Sequence, residues 1–160
     1  YLSKSQNWKF AIDTEMAGID TLAARCRVEK RKSGLDVLFV DHLHLMPRKG
    51  VNEVAELDDI TARLKRLAME LQIHVVLVAQ LNRATEKQAD KRPSLADLRG
   101  SGGIEQNANL VLMPYREGYY DSDAPQETAE LIIAKSRDGE RGVLDLKWEG
   151  HHQRFADYEY

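Results

Sequence analysis

Gly34-Leu-Asp-Val-Leu-Phe-Val-Asp41 decides the fold reading of this chain. Its interior is almost continuously apolar and rich in residues that favour extended backbone, as in a strand covered on both faces. A second run, Ile73-His-Val-Val-Leu-Val-Ala79, ends at Gln80. Between them Val54, Leu57, Thr61, Leu64, Leu67, Ala68 and Leu71 recur at spacings of three and four, one face of a long amphipathic helix. Glu56, Asp59, Arg63, Lys65, Arg66 and Glu70 fall largely on its wet side. The unit reads as βαβ, with its two strands parallel. Open parallel sheets place ligand groups just beyond the carboxyl ends of their strands, which draws attention to Asp41 and Gln80.

Working outward, Lys9 to Ile12 reads as a short strand running into Asp13 and Thr14. Ile19 to Arg31 reads as a helix with Ile19, Leu22, Ala23 and Cys26 inward. Leu110–Tyr115, Ala129–Ala134 and Gly142–Trp148 read as strands, with Pro114 arguing for an early end or an edge position in the first. Asp138-Gly139 is a turn signal suited to closing a hairpin. The tail from Glu149 to Tyr160 has no clean period, and His151-His152 reads as a surface feature.

The 160 residues amount to about one domain. There are 23 Lys and Arg against 26 Asp and Glu, a formal charge of −3, which excludes a binder working through bulk positive charge. One cysteine, Cys26, excludes an internal disulfide framework. No run of 18 apolar residues and no signal-like start occur, so a soluble, cytoplasmic protein is expected, in a bacterial or phage-infected cell. Two loops stand out. Met46 to Asn52 carries Arg48, Lys49 and Gly50 behind the first strand. Leu81 to Gly103 carries Arg83, Lys87, Lys91, Arg92 and Arg99 against Glu86, Asp90 and Asp97. A loop of that length is unusual and often functional, and local cations at the ligand end of a sheet suit phosphate contact.

Together these segments resemble the carboxyl-terminal motor domain of the DnaB-type replicative DNA helicases. The resemblance rests on GLDVLFVDHLHLM (34–46), ARLKRLAMEL (62–71), VVLVAQLNR (75–83), KRPSLADLRGSGGIEQNANLVLMPYR (91–116) and AELIIAKSRDGERGVLDLKW (129–148). It runs from about Phe10 to Phe155. It implies a partial RecA-like three-layer α/β domain over residues 1–160, with a mainly parallel central sheet, a C-terminal hairpin and DNA-facing loops at 46–53 and 81–103. It further implies homo-hexameric rings around single-stranded DNA, ATP and Mg²⁺ as cofactors, ATP-driven translocation and duplex unwinding, and primase and helicase loaders as partners. No GxxxxGK[ST] phosphate loop occurs in these 160 residues. Glu15 follows the family's later Ile12-Asp13 strand end and does not replace the upstream catalytic glutamate. The expectation is therefore a piece of a motor, or a split or degenerate homologue, without ATP hydrolysis of its own.

On this resemblance Asp41 is the Walker B aspartate, holding Mg²⁺ through water. Gln80 is the sensor glutamine, its amide able to donate and accept, with Arg83 in the same relay. Lys135 and Arg137 match the lysine and arginine finger that reach a neighbouring subunit's nucleotide. Strand alternation puts both on one side, where two cations stabilise charge on transferring phosphoryl oxygens. Arg99, Gly100 and Gly102 match a DNA-contacting turn, Gly100 standing where the family has glutamate; Arg48 and Lys49 are secondary DNA candidates. His42 and His44 share a face at two-ligand spacing, with no third ligand fixed by the sequence. A regulatory protein that binds a helicase without turnover, and a general RecA-like nucleic-acid-binding module, are the competing readings.

Overall fold

The structure is a computed structural model that describes residues 9–15, 17–47, 52–82, 90–98 and 101–158. Its first helix, α1 (Ile19–Lys32), carries Asp20 in the first turn and Lys30, Arg31 and Lys32 in the last, matching the helix dipole at both ends. Strand β1 (Val37–Val40) follows, then a 3₁₀ turn at Leu43–Leu45 and the long helix α2 (Glu53–Leu71). The Asn52 side chain accepts the Ala55 N–H at 3.1 Å and so starts α2. Gln72, left-handed at φ 50°, ends it and turns the chain directly into β2 (His74–Leu77).

β1 and β2 pair in parallel, from Val37 opposite His74 to Val40 opposite Leu77. Alternation divides their side chains between two faces. Leu38, Val40, Val75 and Leu77 pack on the core made by Leu43, Leu57, Ile60 and Leu64, with Ile19 joining from α1. A smaller cluster of Ala23, Cys26 and Leu67 fastens α1 to α2 on the same side. The opposite face shows Val37, Phe39, Val76 and Val78 to solvent, Phe39 at 68% exposure.

The rest of the chain departs from the expected architecture. After a short helix α3 (Ser101–Asn107) come β3 (Leu110–Tyr115), β4 (Thr128–Ser136), β5 (Gly142–Glu149) and β6 (Arg154–Asp157). These form a four-stranded sheet in sequence order, antiparallel at every pairing. The larger sheet is thus antiparallel, and a mainly parallel central sheet is ruled out; only β1 and β2 are parallel among the described residues. For β4–β5 and β5–β6 the cause lies in the connections. The β4–β5 link spans Arg137 to Arg141 around Asp138-Gly139, and β5 reaches β6 through a 3₁₀ turn at Gly150–His152. Links that short can join only antiparallel neighbours, whereas a parallel pair needs a crossover of a dozen residues or more. The described helices lie on one face of the parallel pair, so the described residues form two layers there. Lys9 to Ile12 is not a strand: Phe10 and Ile12 are exposed, and no described strand pairs with them.

Other expectations hold. The β4–β5 hairpin closes at Asp138-Gly139, and β3 is an edge strand that carries Pro114 opposite Leu131. Met113 on β3 and Ile132 on β4 join the same core as α2, which binds the antiparallel sheet to the βαβ unit. β6, absent from the sequence reading, is turned back by Gln153, left-handed at φ 48°. No described helix is long and apolar enough to cross a membrane.

Candidate functional site

Parallel register carries β1 and β2 to the same end of their sheet. Val78 donates its N–H to the Val40 carbonyl at 3.0 Å, one residue before Asp41. Leu43 returns the connection, its N–H meeting the Val78 carbonyl at 2.9 Å. The Gln80 N–H points to His44 Nδ1 at 3.4 Å. Asp41 and Gln80 therefore leave the sheet on one rim. The Asp41 carboxylate is 80% exposed and lies 3.9 Å from His42 Nδ1. A lone, open carboxylate fits a water-mediated contact to a divalent ion carried by another ligand, and does not fit a protein-built cage. Among the described residues no group of three or more His, Cys, Asp or Glu is arranged to hold a metal ion. The rings of His42 and His44 sit tilted at 6.1 Å instead.

Lys135 and Arg137 lie together, as alternation requires, and both meet α3. Half-buried Lys135 donates from Nζ to the Glu105 carbonyl at 2.5 Å. Arg137, more exposed, donates from Nη2 to the Gln106 carbonyl at 3.1 Å, while its backbone N–H meets the Asn109 carbonyl at 3.0 Å. The last carbonyls of a helix have no partners within it, and cations are the favoured outside donors. A register shift between Val111 and Leu112 on β3 leaves an extra residue in β4 just before Lys135. Such bulges re-aim neighbouring side chains.

The other end of α3 is fixed by α2. The Asp58 carboxylate accepts the Gly103 N–H at 2.7 Å. At the finish of α3, Asn107 Nδ2 donates to Thr61 Oγ1 at 3.1 Å, and just beyond it Lys65 Nζ reaches Asn109 Oδ1. A Cβ at position 103 would lie 2.7 Å from the Asp58 Cα, so only glycine fits there. Gly102 differs: its nearest neighbour would be an Asp58 oxygen at 4.0 Å, ordinary contact. Packing among the described residues therefore does not demand glycine at 102. Arg48, Lys49, Arg83, Arg99 and Gly100 lie outside the described residues.

Sequence reasoning misses Asp58. Its one signal is a carboxylate bordering the apolar stripe, between Leu57 and Thr61, where burial calls for a donor. Arg92 reads in the sequence only as one loop cation. In the fold its guanidinium meets Glu130 of β4 through two bonds, 2.6 and 2.8 Å, and covers the Tyr115 ring at 5.2 Å. The hydrogen-bonded guanidinium holds the Glu130 carboxyl below its usual range. Near the end of the antiparallel sheet, Arg116 stacks at 4.2 Å on Trp148, which also meets the Phe155 ring at 4.9 Å.

A parallel βαβ unit with a polar rim, joined to a C-terminal antiparallel hairpin sheet, defines a partial RecA-like α/β domain. The DnaB-like helicase C terminal domain matches residues 1–157, and the chain belongs to that family. It is 36% identical over 161 residues to replicative DNA helicase DnaC of Bacillus subtilis, covering 98% of this chain and 36% of that protein. Replicative DNA helicase DnaB of Haemophilus influenzae is 41% identical over 156 residues, covering 95% and 33%. The chain thus spans about a third of the length of these relatives. Among solved structures, a DnaB-like replicative helicase studied for its interactions with primase superposes with a TM-score of 0.88 at 32% identity, covering 99% of this chain and 39% of that one. A second solved structure, of an ATPase domain, gives a TM-score of 0.90 at 31% identity, covering 99% of this chain and 58% of that one.

Proposed function

We propose that this chain supplies one part of an ATP-dependent replicative DNA helicase that assembles as a hexamer, moves along single-stranded DNA and separates the duplex. The observation that carries the reading is the shared rim of Asp41 and Gln80, two residue types with distinct tasks at a nucleotide's phosphates. Asp41 orients water on a nucleotide-borne Mg²⁺. Gln80 senses the terminal phosphate and passes its state into the basic 81–103 segment. Lys135 and Arg137 face a nucleotide held by the next subunit, and their charge stabilises the transferring phosphoryl group. The ion bound with ATP supplies charge neutralisation; the protein's own residues supply placement.

Arg99, Gly100 and Gly102 form the first DNA contact, with Arg48 and Lys49 adding phosphate contacts. Room for a Cβ at Gly102 among the described residues suits a glycine kept for close backbone approach to a phosphate. The bare face of Val37, Phe39, Val76 and Val78 suits packing by the remainder of an ATPase domain, consistent with the 58% of the solved ATPase domain that this chain covers. The B. subtilis relative's matching segment can be replaced by this one and the hybrid tested with forked DNA. Unwinding driven by ATP, stimulated by single strands, is the expected outcome. A hybrid that assembles with its relative's subunits and stops their turnover would favour a regulatory role instead. Primase and loader partnership is tested on the same hybrid by co-sedimentation.

A further inference from the structure

The parallel ladder of β1 and β2 ends unevenly. Its regular bonds include the His74 N–H to the Asp36 carbonyl at 2.9 Å and the Val78 N–H to the Val40 carbonyl at 3.0 Å. Even parallel spacing would next bring the His42 N–H to the Val78 carbonyl and the Gln80 N–H to the His42 carbonyl. Both places are filled differently. Leu43, one residue later, meets the Val78 carbonyl at 2.9 Å, and the His42 carbonyl turns to the Leu45 N–H at 3.1 Å within the 3₁₀ turn. The Gln80 N–H meets a side chain, His44 Nδ1, at 3.4 Å. An imidazole thus stands where a strand carbonyl would. Leu43 is fully buried, so the turn that carries His44 is anchored in the core. On the far side Leu81 bridges to Leu98, and Asn82 donates its N–H to the Asp97 carbonyl at 2.7 Å. Gln80 is therefore mounted between two ties while remaining exposed itself.

We propose that His44 is the positioning residue of Gln80: its Nδ1 holds the backbone from which the sensor amide meets the terminal phosphate. The inference rests on the sensor reading given above and adds what fixes the sensor in place. Acceptance at Nδ1 requires a neutral ring with its proton on Nε2. His44 acts through Gln80 and needs no contact with the nucleotide. Of the three ties that close this rim, only this one is made by a side chain, so a substitution at 44 removes it and leaves the ladder behind it intact. Placement is what such a tie protects, because a sensor set off its mark loses the phosphate geometry it reports.

The test measures the bond and its consequence separately. In the 160-residue chain, nitrogen magnetic resonance of the histidine rings should show His44 protonated at Nε2 with Nδ1 accepting. His44→Phe keeps a ring and removes the acceptor, and the Gln80 amide should then exchange with solvent at least about fivefold faster, the scale of one hydrogen bond. His44→Asn, whose Oδ1 has the reach of Nδ1, should keep the protection. The Val78 amide should be unchanged in both variants, which reports intact folding. In the hybrid motor, His44→Phe should lower kcat about tenfold with KM for ATP held within about twofold, and His44→Asn should recover most of the loss. Gln80→Ala is the reference for the sensor and should lower turnover. A His44 ring protonated at Nδ1, or a Gln80 amide equally protected in His44→Phe, overturns the inference. His44→Asn that behaves as His44→Phe does overturns the acceptor role. Turnover lost in Gln80→Ala but intact in His44→Phe overturns the inference and leaves the sensor reading standing. Gln80→Ala without effect overturns the sensor reading and the inference with it.

Discussion

Leu43 donates its backbone N–H to the Val78 carbonyl at 2.9 Å, so the turn behind β1 is tied to the residue leaving β2. Leu43 is also fully buried, which makes the rim a continuation of the core rather than a pair of loose strand ends. Asp41 and Gln80 project from that rim. On the proposed function, a fixed platform for two exposed polar groups suits phosphate sensing, because a ligand then meets groups that need little reordering.

Removing the guanidinium at 137 tests the finger role. In a hybrid motor containing this segment, Arg137→Ala should lower ATP turnover about 10³-fold or more, the scale on which arginine fingers act. Nucleotide affinity should stay close to that of the unaltered hybrid. Steady-state turnover and equilibrium nucleotide binding separate the two effects, and unchanged turnover would remove Arg137 from the role.

Leu57 is fully buried in the centre of the α2 seam. Leu57→Ala should cost about 2–5 kcal/mol of stability. Urea unfolding of the 160-residue chain should show a lower midpoint with an unchanged slope. A loss under about 0.5 kcal/mol, the range of ordinary surface substitutions, would mean that this seam is not the core.

The Arg92–Glu130 pair predicts a pH dependence. Glu130 has a depressed pKa in the fold, so its contribution is present above the unfolded carboxylate pKa and is lost as pH falls through the lower folded value. Arg92 is 47% exposed at its side chain, so solvent screening limits the pair to about 0.5–1 kcal/mol. Glu130→Gln should lower the thermal midpoint at neutral pH, and the gap from wild type should narrow in acid. A gap that widens in acid would contradict the pairing.

Cys26 is buried between α1 and α2, and that burial pushes its thiol above the ordinary value. Alkylation by iodoacetamide at neutral pH should be slow and should accelerate with added urea. Mass spectrometry over time reads the rate; fast modification of the folded chain would place Cys26 outside that cluster.

The βαβ unit was legible in the sequence because each of its signals is local: apolar strand runs, a helical stripe of apolar residues, and loops at the strand ends. The hairpin was equally local, marked by Asp138-Gly139. Sheet direction beyond β2 was not. Apolar runs such as Leu110–Tyr115 look alike in parallel and antiparallel sheets, and the short links had to outweigh the preceding βαβ pattern. β6 was hidden for a related reason: its four residues alternate weakly, and a left-handed Gln153 sets their pairing. Lys9–Ile12 failed in the opposite sense, having strand-like residues with no described neighbour to pair with. The motif singles out Lys135 and Arg137 as candidates, but their carbonyl partners are 30 and 31 residues away and depend on tertiary structure. Asp58 belongs to the same class, its partner Gly103 being 45 residues distant.

ATP turnover by a chimera tests the central claim most directly. The 160-residue chain, purified alone with Mg²⁺ and single-stranded DNA, should hydrolyse no ATP. Joined to the remainder of the ATPase domain on which it superposes, it should gain DNA-stimulated turnover that Asp41→Asn reduces at least about tenfold, a barrier change of about 1.4 kcal/mol. Turnover by the chain alone, or a chimera indifferent to Asp41→Asn, would contradict a rim built to serve a nucleotide held from outside this segment.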